Sequence, residues 1–174
     1  FNRDHIVISL ERLNKIREIN PTDQSVTVEA GLILSDLQNK CEENNLIFPL
    51  SLASEGSCSL GGNIASNAGG VAVLYYGNTR ELVMGLEVVL SDGSIINNLK
   101  TLIKDNTGYS IKDLFVGSEG TLGVITAATL KVFPKPKNIY TALLSVNSPK
   151  QSIEIFNYIR TVSYTHLRAH ETPL

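Results

Sequence analysis

The chain has 174 residues, 43% hydrophobic and 18% charged, with a formal net charge of −2. That length suits one ordinary domain and the start of a second, and the composition reads as soluble and globular. It carries no basic stripe for nucleic acid and no apolar run near the roughly 20 residues of a membrane helix, and two cysteines, Cys41 and Cys58, make no disulfide framework.

In chain order, Ile6–Leu10 (IVISL) is a short apolar run and predicts a buried strand. Leu13 and Ile16 lead into Arg17–Asn20, and Pro21–Gln24 supplies turn residues. Ser25–Ala30 alternates and is β-branched, which predicts a strand pairing back. Leu32 to Asn45 has helical spacing, with Ile33, Leu37 and Cys41 on the apolar face. Leu46–Phe48 predicts a short strand ending at Pro49.

The segment Pro49–Gly70, PLSLASEGSCSLGGNIASNAGG, is rich in glycine, small hydroxyl residues, amides and alanine, with a short helix expected near Gly61. Few side chains there can fill a core. Such a run makes sense where backbone approaches something bulky and polar, since glycine lets N–H groups converge and clustered N–H groups attract phosphate. A phosphorylated cofactor is the expected occupant.

Further on, Leu82–Leu90 predicts a central strand, Ser91–Ser94 (SDGS) a hairpin turn and Ile95–Ile96 the return. Tyr109–Phe115 predicts a helical turn. Gly117–Gly123 (GSEGTLG) is a second small-residue loop, and Val124–Phe133 another strand. Pro134–Lys137 (PKPK) reads as a linker, because its two prolines cannot continue a central strand. Tyr140–Val146 then reads as a strand and Lys150–Arg160 as a helix, the first pieces of another domain.

The phosphate reading discriminates among cofactor classes. A GxxxxGK[ST] loop is absent, and the spacing GxxxxGGxxxxxxGG follows a proline corner rather than the strand a GxGxxG fingerprint requires. Strands pair through turns rather than βαβ crossovers, as in an α+β domain. A dinucleotide held by two separate glycine loops is the better fit.

These motifs carry a resemblance. FNRDHIVISL, PLSLASEGSCSLGGNIASNAGG, YYGNTRELVMGLEVVLSDG, KDNTGYSIKDLFVGSEGTLGVIT and KVFPKP, in that order, resemble the FAD-binding domain of the vanillyl-alcohol oxidase/p-cresol methylhydroxylase superfamily. Within it they are most similar to the branch of D-2-hydroxyglutarate dehydrogenase and related D-lactate and glycolate dehydrogenases. The resemblance implies an α+β fold of two subdomains with FAD between them. On this pattern residues 1–137 are a partial FAD-binding domain lacking its N-terminal subdomain, and 138–162 start an α+β substrate (cap) domain. Residues 163–174 (SYTHLRAHETPL) fit neither pattern and read as a non-native tail, like a translated sequencing-adapter end.

The resemblance also implies roles. Gly56, Ser57, Gly61, Gly62, Asn63, Ser66 and Asn67 would line the pyrophosphate and flavin, with Cys58 in the same loop. Pro49 and Leu50 would shape the turn beside the isoalloxazine. Glu119, Gly120, Gly123, Val124 and Ile125 would hold the adenosine half and the flavin edge. Some relatives attach flavin through a histidine in this region; none stands near Ser59, which implies non-covalent FAD. The implied reaction is oxidation of a D-2-hydroxy acid to the 2-oxo acid by hydride transfer to flavin, with an electron acceptor of unknown identity.

Catalytic residues and metal ligands are expected outside this segment, so none is assigned, and the isolated segment is expected to bind FAD weakly and to lack turnover. His166 and His170 have i, i+4 spacing, but no glutamate follows the first and no third ligand is evident. No signal peptide is visible, Phe1 is not an initiator Met, and bacterial cytoplasm is the expected compartment, or mitochondria in a eukaryote.

Several residues admit two readings. Asn63 and Asn67 suit helix caps or cofactor contact, and Glu119 suits a turn cap or the cofactor. Tyr75 and Tyr76 suit core packing or the flavin, and Lys104–Gly108 a polar turn or the groove. Arg80 and Glu81 read as an ion pair. The function alternatives are another FAD-linked oxidase or reductase of the same fold, a flavin-less binding domain, or a nicotinamide-binding domain.

Overall fold

The computed structural model describes residues 6–102, 104–138 and 143–169, with 162–169 as backbone. The elements are β1 (Ile16–Asn20), β2 (Ser25–Glu29), α1 (Leu34–Glu43), β3 (Leu46–Ile47), α2 (Leu60–Ala65), α3 (Val73–Tyr76) and α4 (Thr79–Leu82). They continue with β4 (Val83–Val89), β5 (Ile95–Asn98), α5 (Lys112–Phe115), β6 (Val124–Lys131), β7 (Phe133–Pro134) and α6 (Pro149–Ala169). The chain divides into two compact units, Phe1–Lys135 and Pro136–Leu174. α6 belongs to the second, and all the strands to the first.

One antiparallel sheet runs β1-β2-β6-β4-β5. Its centre is β6, which pairs with β2 on one side, Thr27 opposite Thr129, and with β4 on the other, Leu86 opposite Ala128. Two turns supply the outer pairs. At the first, the Asn20 side-chain oxygen accepts from the N–H groups of Thr22 and Asp23, at 3.1 and 3.0 Å. At the second, Gly93 has φ 83° and Asp92 accepts from Ser94 N–H at 2.9 Å. Such short polar bridges stabilise turns over continued ladder.

Alternation decides the faces. Val26 and Val28 of β2, Leu86 and Val88 of β4, and Ala128 and Leu130 of β6 are buried against Leu34, Leu37 and Cys41 of α1 and Leu60 and Ile64 of α2. The opposite face is polar. There Arg17 makes a forked pair with Glu87 at 3.1 and 3.2 Å and reaches Glu29 at 3.4 Å. Thr126 and Asn97 also donate to Glu87, at 2.8 and 3.3 Å. Charged hydrogen bonds thus tie β1, β2 and β4 together across the sheet.

Several sequence expectations are corrected. Ile6–Leu10 forms no strand: it finds no ladder partner among the described residues, and Ile6, Val7 and Ile8 are exposed. β1, at one edge of the sheet, is Ile16–Asn20 instead. Ile33 is the N-cap of α1 and only half-buried, and Leu34 takes its place on the buried face. Pro134 lies in β7 rather than in a linker; as a terminal residue paired with Leu46 it ends a two-residue ladder, where its missing N–H is tolerated. Residues 140–142 of the strand expected at Tyr140–Val146 lie outside the described residues, and 143–146 form no strand. The single turns α3 and α4 are too short for periodicity to reveal.

Candidate cofactor site

The first glycine-rich loop leaves β3 at Pro49. Leu50 is buried, and its carbonyl accepts from Gln38 Nε2 of α1 at 2.8 Å. A tight turn follows, in which Ser57 and Cys58 N–H both donate to Ser54 carbonyl at 2.9 Å. The Cys58 carbonyl then accepts from Leu34 N–H at 3.1 Å, docking the loop on the start of α1. Ser59 caps α2 through Gly62 N–H at 3.3 Å.

The start of α2 is not an open phosphate cradle. Leu60 N–H donates to Leu32 carbonyl at 2.9 Å, Gly61 N–H to Ala30 carbonyl at 2.7 Å, and Asn63 N–H to Ser59 carbonyl at 3.0 Å. With Gly62 on the Ser59 hydroxyl, all four opening donors are satisfied within the fold. Gly61 serves packing: a Cβ there would stand 2.8 Å from Ala30 Cβ. Gly70 and Gly123 are likewise closed, by Ser51 backbone and by Val88 with Val89 backbone.

Gly56 and Gly69 behave differently. Neither has a positive φ, and a Cβ at either would meet nothing within 4 Å. The fold itself does not require glycine at these two positions. Gly69 and Gly70 N–H groups also find no acceptor among the described residues. These are the places where a ligand has room to approach backbone.

The second loop closes onto the end of α2. Gly117 N–H donates to Ile64 carbonyl at 3.0 Å and Glu119 N–H to Ala65 carbonyl at 2.9 Å, so the carbonyls α2 leaves open are capped by the loop's amides. Glu119 has φ 51° and Asn67 φ 48°, left-handed values that single turn residues adopt. Glu119 and Gly120 are exposed, Gly123 and Val124 half-buried. Ile125 is buried in the core, which leaves its side chain no open face for a ligand. One polar atom here, Ser118 Oγ, is buried without a hydrogen-bond partner among the described residues. Buried unpaired oxygens are rare and mark a place for a missing polar partner.

Of the remaining candidates, Asn63 is buried and donates to Cys58 Sγ at 3.4 Å, while Ser66 hydroxyl returns to Gly62 carbonyl at 2.9 Å. Asn67 Oδ1 accepts from Arg80 N–H at 2.9 Å, so its side chain joins two elements. Tyr76 packs edge-on to Phe133 with ring centres 4.7 Å apart, whereas Tyr75 is 63% exposed. Burial, then the neighbouring Tyr75 hydroxyl, raises the Tyr76 pKa.

Arg80 and Glu81 form no ion pair with each other. Glu81 accepts from Asn78 N–H at 2.9 Å, and Arg80 reaches the end of α5. Residues 104–108 lie beside a polar cavity of about 150 Å³ lined by Met84, Asn98, Lys100, Asp105, Tyr109 and Lys112 among others, with Lys100 paired to Asp105 at 2.8 Å. Burial pushes the Cys41 thiol up to about 11, which makes it inert; Cys58 is half-buried. No cluster of three or more potential metal ligands occurs among the described residues, and His170 lies outside them.

The architecture is thus an antiparallel sheet with helices on one face and two glycine loops joined at the end of α2, the first with unfilled backbone donors at Gly69 and Gly70. The profile of an FAD binding domain matches residues 2–98, and the chain belongs to that family. The chain is 45% identical over 168 residues to the mitochondrial D-2-hydroxyglutarate dehydrogenase of Danio rerio, covering 97% of this chain and 32% of that protein. It is 43% identical over 155 residues to the D-2-hydroxyglutarate dehydrogenase of Xanthomonas citri pv. viticola, covering 89% and 33%. A D-2-hydroxyglutarate–pyruvate transhydrogenase of Saccharomyces cerevisiae is 41% identical over 145 residues, covering 83% and 29%. The chain thus spans about a third of the length of these relatives.

Among solved structures, an alkyldihydroxyacetonephosphate synthase superposes with a TM-score of 0.65 at 23% identity, covering 74% of this chain and 23% of that one. The α+β FAD-binding fold and the superfamily resemblance read from the motifs are both borne out. Relatives carry mitochondrial and bacterial names, and no helix among the described residues is long and apolar enough to cross a membrane.

Proposed function

We propose that this chain supplies one wall of a non-covalent FAD site in an FAD-linked dehydrogenase that oxidises a D-2-hydroxy acid, of the D-2-hydroxyglutarate or D-lactate class, to the 2-oxo acid. The observation that carries the reading is the pair Gly56 and Gly69, glycines in open space whose identity the packing does not demand. The buried unpaired Ser118 hydroxyl in the facing loop supports it, and the names of the relatives point to the substrate class.

When bound, the flavin would supply the hydride acceptor, a chemistry no side chain offers. The chain's own residues would bind and orient it. The N–H groups of Gly69 and Gly70 are free to meet the pyrophosphate, with Ser57, Gly62 and Ser66 beside them. Pro49 and the buried Leu50 would fix the turn next to the ring system. Ser118, Glu119, Gly120 and Gly123 would meet the opposite edge. Residues 1–137 would be part of the FAD-binding domain and 138–162 the start of a substrate domain, with 163–174 a foreign tail. The acid-binding and proton-accepting groups would come from other parts of the polypeptide. The same reading calls for a separate electron acceptor, in a bacterial cytoplasm or a mitochondrion.

The test is a purified full-length protein carrying this chain. A visible flavin band, released by denaturation and bleached by D-2-hydroxyglutarate or D-lactate but not by nicotinamide nucleotides, is the expected result. Absence of flavin sinks the cofactor reading. Flavin that only sugars or alditols bleach replaces the substrate class with the other oxidases of this fold.

A further inference from the structure

Arg80 sits where the two glycine loops meet. Its Nη1 donates to Asp113 carbonyl at 2.7 Å and its Nη2 to Val116 carbonyl at 2.6 Å, the open carbonyls at the end of α5. A guanidinium offers several N–H groups in a fixed fork, so one side chain serves both acceptors. The Asp113 carboxylate lies 3.5 Å from the same Nη1. Arg80 N–H is held by Asn67 Oδ1 at 2.9 Å, and Asn67 follows the α2 C-cap Ser66 directly.

These bonds close a ring. From the end of α2 the path runs through Asn67 to Arg80, from Arg80 to Val116, and from the adjoining Gly117 and Glu119 N–H groups back to Ile64 and Ala65 carbonyls of α2. Arg80 joins that ring through its charged side chain, whereas Glu119 joins through its backbone N–H, and Gly117 packs against Arg80, with a Cβ position 3.4 Å from Nη2.

We infer that Arg80 is a positioning residue for the cofactor site: it holds the Gly117–Gly123 loop at a fixed angle to the Pro49–Gly70 loop without touching the ligand. The inference rests on the proposed reading of both loops as walls of the FAD site. A neutral side chain at position 80 leaves two carbonyls unpaired and frees the second loop to pivot on its two remaining bonds to α2. Site geometry then suffers before global stability does, because the sheet and its helices keep all their own contacts.

The experiment uses full-length protein with Arg80→Met, Arg80→Lys and, as a control on the far face of the sheet, Arg17→Met. Amide hydrogen exchange at Gly117 and Glu119 is read without cofactor. FAD affinity and the visible circular dichroism of bound flavin are read with it. For Arg80→Met, amide protection and FAD affinity are each expected to fall about tenfold or more, the scale of losing charge-assisted hydrogen bonds, and the dichroism to change. Arg80→Lys, with one compact ammonium, is expected to fall between, and added guanidinium to restore part of the Arg80→Met loss. Arg17→Met is expected to change none of the three. Should Arg80→Met not fold, Arg80→Lys carries the comparison. Unchanged protection at Gly117 and Glu119 overturns the inference whether or not flavin binds. Lost protection with unchanged affinity and dichroism overturns it too, leaving Arg80 a local brace. Failure of the unaltered protein to take up FAD is a separate result against the cofactor reading.

Discussion

Gly61 and Ala30 are in contact so close that a Cβ on residue 61 would lie 2.8 Å from Ala30 Cβ and 3.0 Å from Ala30 carbonyl oxygen. Both belong to rigid parts of the fold, the start of α2 and the residue after β2, and Gly61 N–H also donates to that carbonyl. Neither side can yield cheaply. Gly61→Ala is therefore expected to destabilise the protein by roughly 1–3 kcal/mol, as overpacking does. Gly56→Ala and Gly69→Ala are expected to shift stability by no more than about 0.5 kcal/mol, yet to weaken FAD binding. Urea unfolding of the apo-protein and FAD titration separate the two kinds of glycine.

The Arg17–Glu87 pair predicts an acid-sensitive sheet. The hydrogen bond from Arg17, aided by Thr126, outweighs desolvation and lowers the Glu87 pKa below its usual 4.5. A depressed carboxyl contributes stability that is complete above its unfolded pKa and lost as pH falls through the folded one. Thermal unfolding is expected to lose midpoint below about pH 4.5, and Glu87→Gln to lower the midpoint at neutral pH while flattening that acid limb. An acid limb of unchanged steepness in Glu87→Gln rules out this pair as its source.

The two thiols should differ in reactivity. Cys41 is fully buried on α1 and its thiol is pushed up to about 11, whereas Cys58 is half-buried in the first loop. Iodoacetamide on the native chain is expected to label Cys58 alone, and both after unfolding, as counted by intact mass. FAD is expected to slow the labelling of Cys58 if the first loop lines its site.

Leu37 is completely buried between α1 and the sheet. Leu37→Ala is expected to cost about 2–5 kcal/mol through the lost apolar contact and the cavity left behind. Chemical denaturation of the apo-protein checks it, and a loss below about 1 kcal/mol would mean the core collapses around the gap.

The sequence is legible where one period or one turn suffices. β2, β4, the SDGS hairpin, α1 and the short helix at Gly61 follow from alternation, helical spacing and turn chemistry. The same logic misplaces Ile6–Leu10, because an apolar run becomes a strand only when a neighbour supplies a ladder, and none of the described strands does. The candidate site is half legible. Composition locates both loops and their glycines, but it cannot tell Gly61, closed by Ala30, from Gly56, whose Cβ position is open; that distinction is tertiary. The partners of Arg80 were invisible for the same reason. Glu81 is adjacent in sequence, while Asp113 and Val116 lie 33 and 36 residues away and meet Arg80 only once the fold is formed.

The central position of β6 sets an order of events during synthesis. Thr27 and Thr129, which share a hydrogen bond at 3.1 Å, are 102 residues apart in the chain. Until Val124–Lys131 has left the ribosome, β1–β2 and β4–β5 are two separate ribbons, each with an uncovered edge. Two-stranded ribbons are marginal in water, and exposed edges invite pairing with other chains. A ribosome pause just before the codon for Val124 would thus prolong an aggregation-prone moment for these two ribbons, and a nascent chain halted there is a natural client for a chaperone.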